Sequence, residues 1–305
     1  MMSQGRAVLV VNTRARGGAA LYGQAKHLLS GKGFDLAAAY PVRDPARIPE
    51  IVQEAVARGE RLIVIGGGDG TISSVVDYLA YRDVVLGIVP MGTANNFARA
   101  IGLPLNVGEA VGVIAEGHAT RIDLGKINNN YFSNAVSLGI SASIHRGSPD
   151  QIKRWLGRAG YFLVAARRFA VHRPFHCRLQ HDGKVLEVEA LDLRIANGPY
   201  HGGVVAVPGA SVDSRELAVR IIKGSSKWTL ARVWANIYRG AAQDPASVEI
   251  LRVRELAIST DPQQPVSVDG EVVAQTPVTI SVAAEALRLM VPQNFAGSGS
   301  PRPTG

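Results

Sequence analysis

Arg61–Tyr81 reads RLIVIGGGDGTISSVVDYLAY, and this stretch decides the fold. Leu62–Ile65 is a short apolar run of the kind that forms a buried strand. Gly66, Gly67 and Gly68 follow it, then Asp69, Gly70 and Thr71. Beyond them Ile72, Val75, Val76 and Leu79 recur at helical spacing. A strand that passes through glycines into a helix turns backbone N–H groups toward whatever lies above the turn, and phosphate is the usual occupant. Glycine suits this place because a side chain would hold the phosphate away and would strain positions with positive φ. The glycines alone fit an ordinary strand-to-helix turn equally well. Asp69 shifts the reading toward chemistry. A carboxylate repels phosphate unless a metal lies between them, or unless it takes a proton from an attacking hydroxyl.

The flanking sequence repeats the strand-then-helix pattern. Ala7–Val11 reads as a strand ended by Asn12, with the turn TRARGGA (Thr13–Ala19) and a helix over Ala20–Ser30. Phe34–Tyr40 is a second strand, and Pro45–Arg58 a second helix capped by Asp44. Val84–Val89 is a further strand, entering PMGTANNFARAIGLP at Pro90–Pro104. Strands alternating with helices predict a parallel sheet covered on both sides. The strand ends at Asn12, Gly66 and Pro90 then share one edge, where open α/β sheets bind ligands.

The pattern changes near Arg121. Arg121–Ile127, Phe132–Leu138, Phe175–Gln180, Lys184–Leu193, Leu217–Ile222 and Val248–Ile258 are short Val/Leu/Ile-rich segments separated by Gly, Asp, Asn and Pro. They predict an antiparallel β-sandwich or flattened barrel, with HDGK (His181–Lys184) as a hairpin turn. One predicted helix interrupts them, Gln151–His172. It mixes Trp155, Tyr161 and Phe162 with Lys153, Arg154, Arg158, Arg167 and Arg168. It reads as a surface helix on the sheet, or as a basic aromatic face for an anionic membrane. AGSGSPRPTG at 296–305 has the composition of a disordered tail. The chain divides into an α/β domain over 1–122, completed by a segment near 280–293, and a β-sandwich over 123–280.

The 305 residues carry 33 Lys and Arg against 25 Asp and Glu, a formal net charge of +8. Such a surface suits anionic membranes or polyphosphates. With 6% aromatic residues and no nucleic-acid motif, nucleic acid is not expected as a partner. Cys177 is the single cysteine, so no internal disulfide can form and a reducing, cytoplasmic setting is expected. VLVVN (Val8–Asn12) is too short for a signal core or a membrane span. His145, His172, His176, His181 and His201 show no metal-ligand spacing. His201, in the turn NGPYHGG, is the one that could face a cleft.

Neither Walker A nor a protein-kinase loop set is present. GGDGT (Gly67–Thr71), PMGTANNFARAIGLP (Pro90–Pro104) and VDGE (Val268–Glu271) resemble, in order and spacing, the diacylglycerol kinase catalytic family. These are bacterial lipid kinases related to sphingosine and ceramide kinases. VVNTRARGG (Val10–Gly18) and the YFLVAARR region match more weakly. GGDGT is shared with NAD kinases and phosphofructokinases; the second motif with a distal DGE is far more specific.

The resemblance implies an ATP-dependent kinase that phosphorylates a lipid hydroxyl, diacylglycerol-like or sphingoid. It would be cytoplasmic and peripheral to the inner face of the membrane, and a homodimer is left open. By position, Asn12, Thr13, Arg14, Ala15, Arg16, Tyr40, Gly67, Gly68, Asp69, Gly70, Thr71, Ser73, Ser74 and Thr93 would surround ATP with Mg²⁺. Thr71 can also cap the following helix, and Arg14 and Arg16 can neutralise phosphate or stand as solvated loop residues. Asp269–Gly270 alone is a plain hairpin turn. The resemblance instead points its acids into the cleft between domains, with Glu271 as base on the acceptor hydroxyl and Asp269 and Asp69 in support.

The sequence departs from the family where carboxylates are common. Asn95–Asn96 replaces Asn-Asp, Ser73–Ser74 replaces Asn-Glu, and VDSREL (Val212–Leu217) replaces a run ending Asp-Gly. Ser214 then stands where relatives bind a structural Mg²⁺, with Asp213 one place early. Mg²⁺ usually needs one or two carboxylates, so this site is in question. Two other readings stay open: a kinase of a soluble acceptor such as NAD, and a non-catalytic nucleotide or lipid sensor.

Overall fold

The computed structural model describes residues 5–14, 17–146, 167, 169 and 171–295. Most of the predicted helix at 151–172, the tail at 296–305, and Ala15 and Arg16 lie outside them.

The chain begins with β1 (Arg6–Asn12), α1 (Gly18–Gly31), β2 (Asp35–Val42), α2 (Ile48–Ala57), β3 (Leu62–Gly67), α3 (Asp69–Ser73), α4 (Val76–Leu79), β4 (Val85–Pro90), α5 (Asn96–Ala100) and α6 (Val107–Glu116). Four strands pair in parallel in the order β4-β3-β1-β2. Alternate residues of β1 face opposite sides. Val8 and Val10 pack under α2, α3, α4 and α5, while Ala7, Leu9 and Val11 pack against α1 and α6. This is the expected α/β layer.

Two predicted helices differ in detail, and both for hydrogen-bonding reasons. Pro45–Arg47 is a 3₁₀ turn and α2 proper starts at Ile48. Pro49 has no N–H with which to bond the Pro45 carbonyl, so Ile48 bonds it instead, one residue short of the α pattern. The side chain of Asp44 does cap this turn, accepting from Ala46 N at 3.2 Å. The helix expected after the glycines is split into α3 and α4. The Ser74 hydroxyl donates to the Thr71 carbonyl at 2.9 Å. Val75 N then bonds Ile72 O at 3.1 Å, tightening the turn and ending the first helix. Ile72, Val75, Val76 and Leu79 still face inward, each no more than 2% exposed.

The remainder comprises β5 (His118–Ile127), β6 (Asn130–Phe132), β7 (Ala135–Gly139), α7 (Ile140–Arg146), β8 (Phe175–His181), β9 (Lys184–Ala196), β10 (Tyr200–His201), β11 (Val204–Val205), β12 (Leu217–Lys223), α8 (Lys227–Arg239), β13 (Val248–Val253), β14 (Glu255–Asp261), β15 (Pro265–Val268), β16 (Glu271–Gln275) and β17 (Val278–Val291). It is the expected antiparallel β-sandwich, filled by Phe132, Val136, Phe175, Leu193, Val219 and Ile258 among others. The β8–β9 hairpin turns on Asp182 and Gly183, with φ of 48° and 71°. Both central residues are left-handed, as a type I′ turn requires.

Two expected single strands are each broken. Phe132–Leu138 splits at Ser133–Asn134. Val248–Ile258 splits at Arg254, because β13 pairs with β12 whereas β14 pairs with β8 and β17.

β17 joins the two halves. It pairs antiparallel with β14 and β5, then parallel with β4 through Arg288↔Val85 and Leu289↔Leu86. The last strand of the chain thus completes the first sheet. Any movement of one lobe against the other has to strain this ladder.

Candidate active site

Three strand ends meet at the site. Gly68 leaves β3 and Gly92 leaves β4 at closest approach. A Cβ on Gly92 would stand 2.6 Å from the Gly68 Cα, and one on Gly68 would stand 2.9 Å from the Gly92 Cα. Neither position can carry a side chain unless backbone moves. Met91 N bonds Gly67 O at 2.9 Å, locking one turn onto the other. Asn95 holds the second turn closed: its Oδ1 accepts from Gly92 N at 2.9 Å and its Nδ2 donates to Gly92 O at 2.8 Å. Asn95 itself sits at φ 48°, ψ 48°, the left-handed region in which Asn is tolerated. At the end of β1, Asn12 Nδ2 donates to Thr71 Oγ1 at 3.0 Å, tying the first turn to the other two. Gly92→Ala is therefore expected to unfold little of the chain but to push the turns apart. The expected loss is about tenfold or more in nucleotide affinity, the equivalent of roughly 1.4 kcal/mol. Calorimetric titration with a non-hydrolysable ATP analogue checks it.

Asp69 takes up a positioning place. Its Oδ1 accepts from Phe97 N at 3.0 Å and its Oδ2 from Asn96 Nδ2 at 3.2 Å, so it fastens α5 to the glycine turn. The other end of the Asn96 amide accepts from Gly203 N at 3.0 Å, in the β10–β11 turn of the second lobe. The amide serves both partners, as donor to one and acceptor to the other. An acid at position 96 would face Asp69 with like charge.

The far lobe contributes the β15–β16 hairpin. Asp269 and Gly270 form its turn with φ of 46° and 101°. The Asp269 carboxylate accepts four hydrogen bonds: from Ser133 N at 2.9 Å, Ser133 Oγ at 2.9 Å, Asn134 N at 3.0 Å and Ala135 N at 2.8 Å. Those N–H groups turn away from any ladder, which is why the chain breaks between β6 and β7. Asp269 is an anchor for the hairpin. Glu271, two residues on, is exposed. It lines a cavity of about 250 Å³ together with Gly70, Ser73 and Ser74 from the first lobe and Tyr131 and Asp269 from the second. The far hairpin and the glycine turn thus share one cleft.

Asp77 is a further acid in this cavity that the motifs did not single out. Burial raises its pKa, against the lowering effect of a 2.6 Å hydrogen bond from Tyr131 N. The register also places a buried polar row behind the hairpin, Ser267, Ser137, Arg194 and Arg220, on neighbouring strands. Burial first, then the neighbouring Arg220, lowers the Arg194 guanidinium to about 10. The scattered sequence positions of this row gave no signal; only strand pairing brings them together.

The other predicted residues fall as follows. Arg14 is exposed, its N–H donating to Asn12 Oδ1 at 3.1 Å. Thr13 is fixed to Val42 O by its backbone N–H at 2.8 Å and its hydroxyl at 3.1 Å. Tyr40 packs against the apolar core beside β1. Thr93 and Gly92 face a second cavity, of about 400 Å³, beside Leu21 and Gln24. His201 stacks at 5.7 Å from Trp234. Cys177 is buried, and burial pushes its thiol up to about 12.

The structural Mg²⁺ implied by the resemblance does not fit this donor set. Ser214 Oγ is committed to two backbone carbonyls, Ser211 O at 2.9 Å and Glu216 O at 3.0 Å. Asp213 accepts from the Ser211 hydroxyl. At the centre stands Asp123, 1% exposed, which accepts from Arg215 N at 2.7 Å, from Glu285 N at 2.9 Å and from the Arg215 guanidinium. That guanidinium also pairs with Glu285. A side-chain cation already neutralises the acids of this junction. Among the described residues there is no cluster of three His, Cys, Asp or Glu that could hold a metal.

Two lobes thus face one cleft, with paired glycine turns on one side and an exposed glutamate on the other. The Diacylglycerol kinase catalytic domain matches residues 6–127, and the YegS C-terminal NAD kinase beta sandwich-like domain matches residues 134–291. The chain belongs to the diacylglycerol kinase family. It is 30% identical over 223 residues to a diacylglycerol kinase of Staphylococcus aureus, covering 72% of this chain and 70% of the relative. With that of Staphylococcus carnosus it shares 26% over 245 residues, 79% and 80% of the two chains. A crystal structure from Bacillus anthracis, whose protein carries the same designation provisionally, superposes with a TM-score of 0.81 at 26% identity, covering 95% and 96% of the chains.

Proposed function

We propose that this protein transfers the γ-phosphoryl group of ATP to a hydroxyl of a diacylglycerol-like or sphingoid lipid. The observation that carries this reading is the shared cleft: Glu271 opens onto the same cavity as Gly70, Ser73 and Ser74. Bound ATP supplies the phosphoryl group, and its accompanying divalent cation offsets the charge that develops on it. The paired turns at Gly67–Thr71 and Gly92–Thr93 let backbone come close to the triphosphate tail, which no side chain could permit there. Asp69 and Asn96 hold the two turns and the β10–β11 turn at fixed separation. Glu271 accepts the proton of the lipid hydroxyl as its oxygen bonds to the γ-phosphorus, and ADP departs with the electrons of the broken P–O bond. Asp269 keeps the hairpin, and so Glu271, at the right height. Positioning and charge neutralisation supply most of the rate in such transfers.

No described helix is long and apolar enough to cross a membrane. The test is to incubate folded protein with Mg²⁺ and γ-labelled ATP against a panel of diacylglycerols, sphingoid bases and soluble alcohols including NAD. Label in a lipid product is the expected result. Label in a soluble acceptor alone would overturn the lipid assignment. Tight ATP binding with no labelled product from any acceptor would overturn the kinase assignment.

A further inference from the structure

We propose that the outer face of α8, with the residues beside it, is the surface through which this protein settles on an anionic bilayer; the inference rests on the lipid-kinase reading. The helix reads KWTLARVWANIYR. Leu230, Val233 and Ile237 form its inner stripe and are buried against the sandwich with Ala218, Ile222 and Val248. Trp234 is held as well, 5.1 Å from the Arg220 guanidinium. At 100° per residue, that stripe directs Trp228, Arg232, Ala235 and Arg239 outward, with Tyr238 at the margin.

Trp228 is 74% exposed and Tyr238 63% exposed. Phe169 meets Trp228 edge-on at 6.4 Å. Large apolar side chains gathered on one exposed face mark a surface meant to be covered. Charge selects the cover. α8 carries Lys227, Arg232 and Arg239 and no acid, and Arg167, two residues before Phe169, is exposed. Asp244 lies 3.6 Å from Arg232. An acid-free helix with Trp and Tyr among its cations matches the headgroup region of an anionic bilayer, where amphipathic aromatics and basic residues settle together.

The placement joins this face to the chemistry. α8 packs on β9 and on β11. The turn between β10 and β11 donates Gly203 N to Asn96, which in turn holds Asp69. The inner face of α8 is thus linked through β11 and the β10–β11 turn to Asn96 and Asp69.

The experiment is sedimentation of the full chain with vesicles of phosphatidylglycerol in phosphatidylcholine, against pure phosphatidylcholine. Binding to the anionic vesicles alone, falling as salt is raised, is expected. Trp228→Ser is expected to weaken partition about tenfold. Each of Arg232→Gln and Arg239→Gln should weaken it about fivefold. Brominated acyl chains should quench tryptophan emission in the wild type, and most of that quenching should vanish in Trp228→Phe, which preserves the packing. Equal partition and equal quenching in the wild type and both Trp228 variants would overturn the proposal. So would a lipid-free dimer that the Trp228→Ser variant abolishes. Turnover of a monomeric short-chain diacylglycerol should stay unchanged in Trp228→Ser. A wild type that phosphorylates no lipid would fail the kinase reading while leaving the vesicle result to be judged by itself.

Discussion

Glu271→Gln is expected to lower turnover by about 10²- to 10⁴-fold, the range in which a positioned proton acceptor contributes. The fold should be untouched. Glu271 is exposed at the first position of β16 and is not an anchor of the hairpin; that task falls to Asp269. ATP affinity should also hold, since the glycine turns are on the opposite lobe. The pattern to look for is a fall in kcat with little change in the KM for ATP, together with an unchanged melting curve. Asp269→Asn provides the contrast. An amide accepts on one oxygen only, so at least part of the Ser133–Asn134–Ala135 loop loses its acceptor. That variant should lose stability as well as activity. Wild-type turnover in Glu271→Gln would remove the base from the mechanism and leave the cleft as a binding site alone.

Asp123→Ala is expected to cost about 2–5 kcal/mol of stability, from two backbone N–H groups left without their acceptor at about 1–3 kcal/mol each. Its carboxylate is 1% exposed and gathers the Arg215 backbone and guanidinium and the Glu285 N–H. Removal strands those donors at the point where β5, the 212–216 turn and β17 meet. For a chain of this length the shift should be about 5 °C or more in melting temperature. Arg215→Gly keeps the backbone N–H bonds of residues 215 and 285 to Asp123, and glycine suits the φ of 61°. It leaves Asp123 and Glu285 without their cation. Nucleotide-free wild type should melt at the same temperature with or without Mg²⁺, whereas Arg215→Gly should be stabilised by it. A saturable rise for the wild type would show a divalent site at this junction and refute the guanidinium's part.

How much was legible follows from the range of each signal. The glycine turn announced itself because its cause is local. Strand, glycines, acid and helix are contiguous, and backbone close approach tolerates few residue types. The same holds for the HDGK hairpin, whose two left-handed residues carry their preference in their own side chains. The helix after the glycines is legible only in part. Hydrophobic periodicity located its buried face but is blind to a serine hydroxyl that takes a carbonyl from the helix ladder, as Ser74 does. The split of Phe132–Leu138 was out of reach for a different reason. Its cause, the Asp269 carboxylate, lies more than a hundred residues downstream.

The sequence by itself determined the α/β lobe with helices on both faces of its sheet, the β-rich second lobe and the glycine turns, because periodicity and turn chemistry act between near neighbours. The family resemblance marked Ser214 and Asn96 as places where relatives carry carboxylates. Only the tertiary structure decided what had taken their place. Arg215 reaches Asp123, and Asn96 spans Asp69 and Gly203, through pairings set by strand register and by a last strand that returns to the first sheet. Charge compensation depends on distance in space, and the order of residues along a chain does not contain that distance.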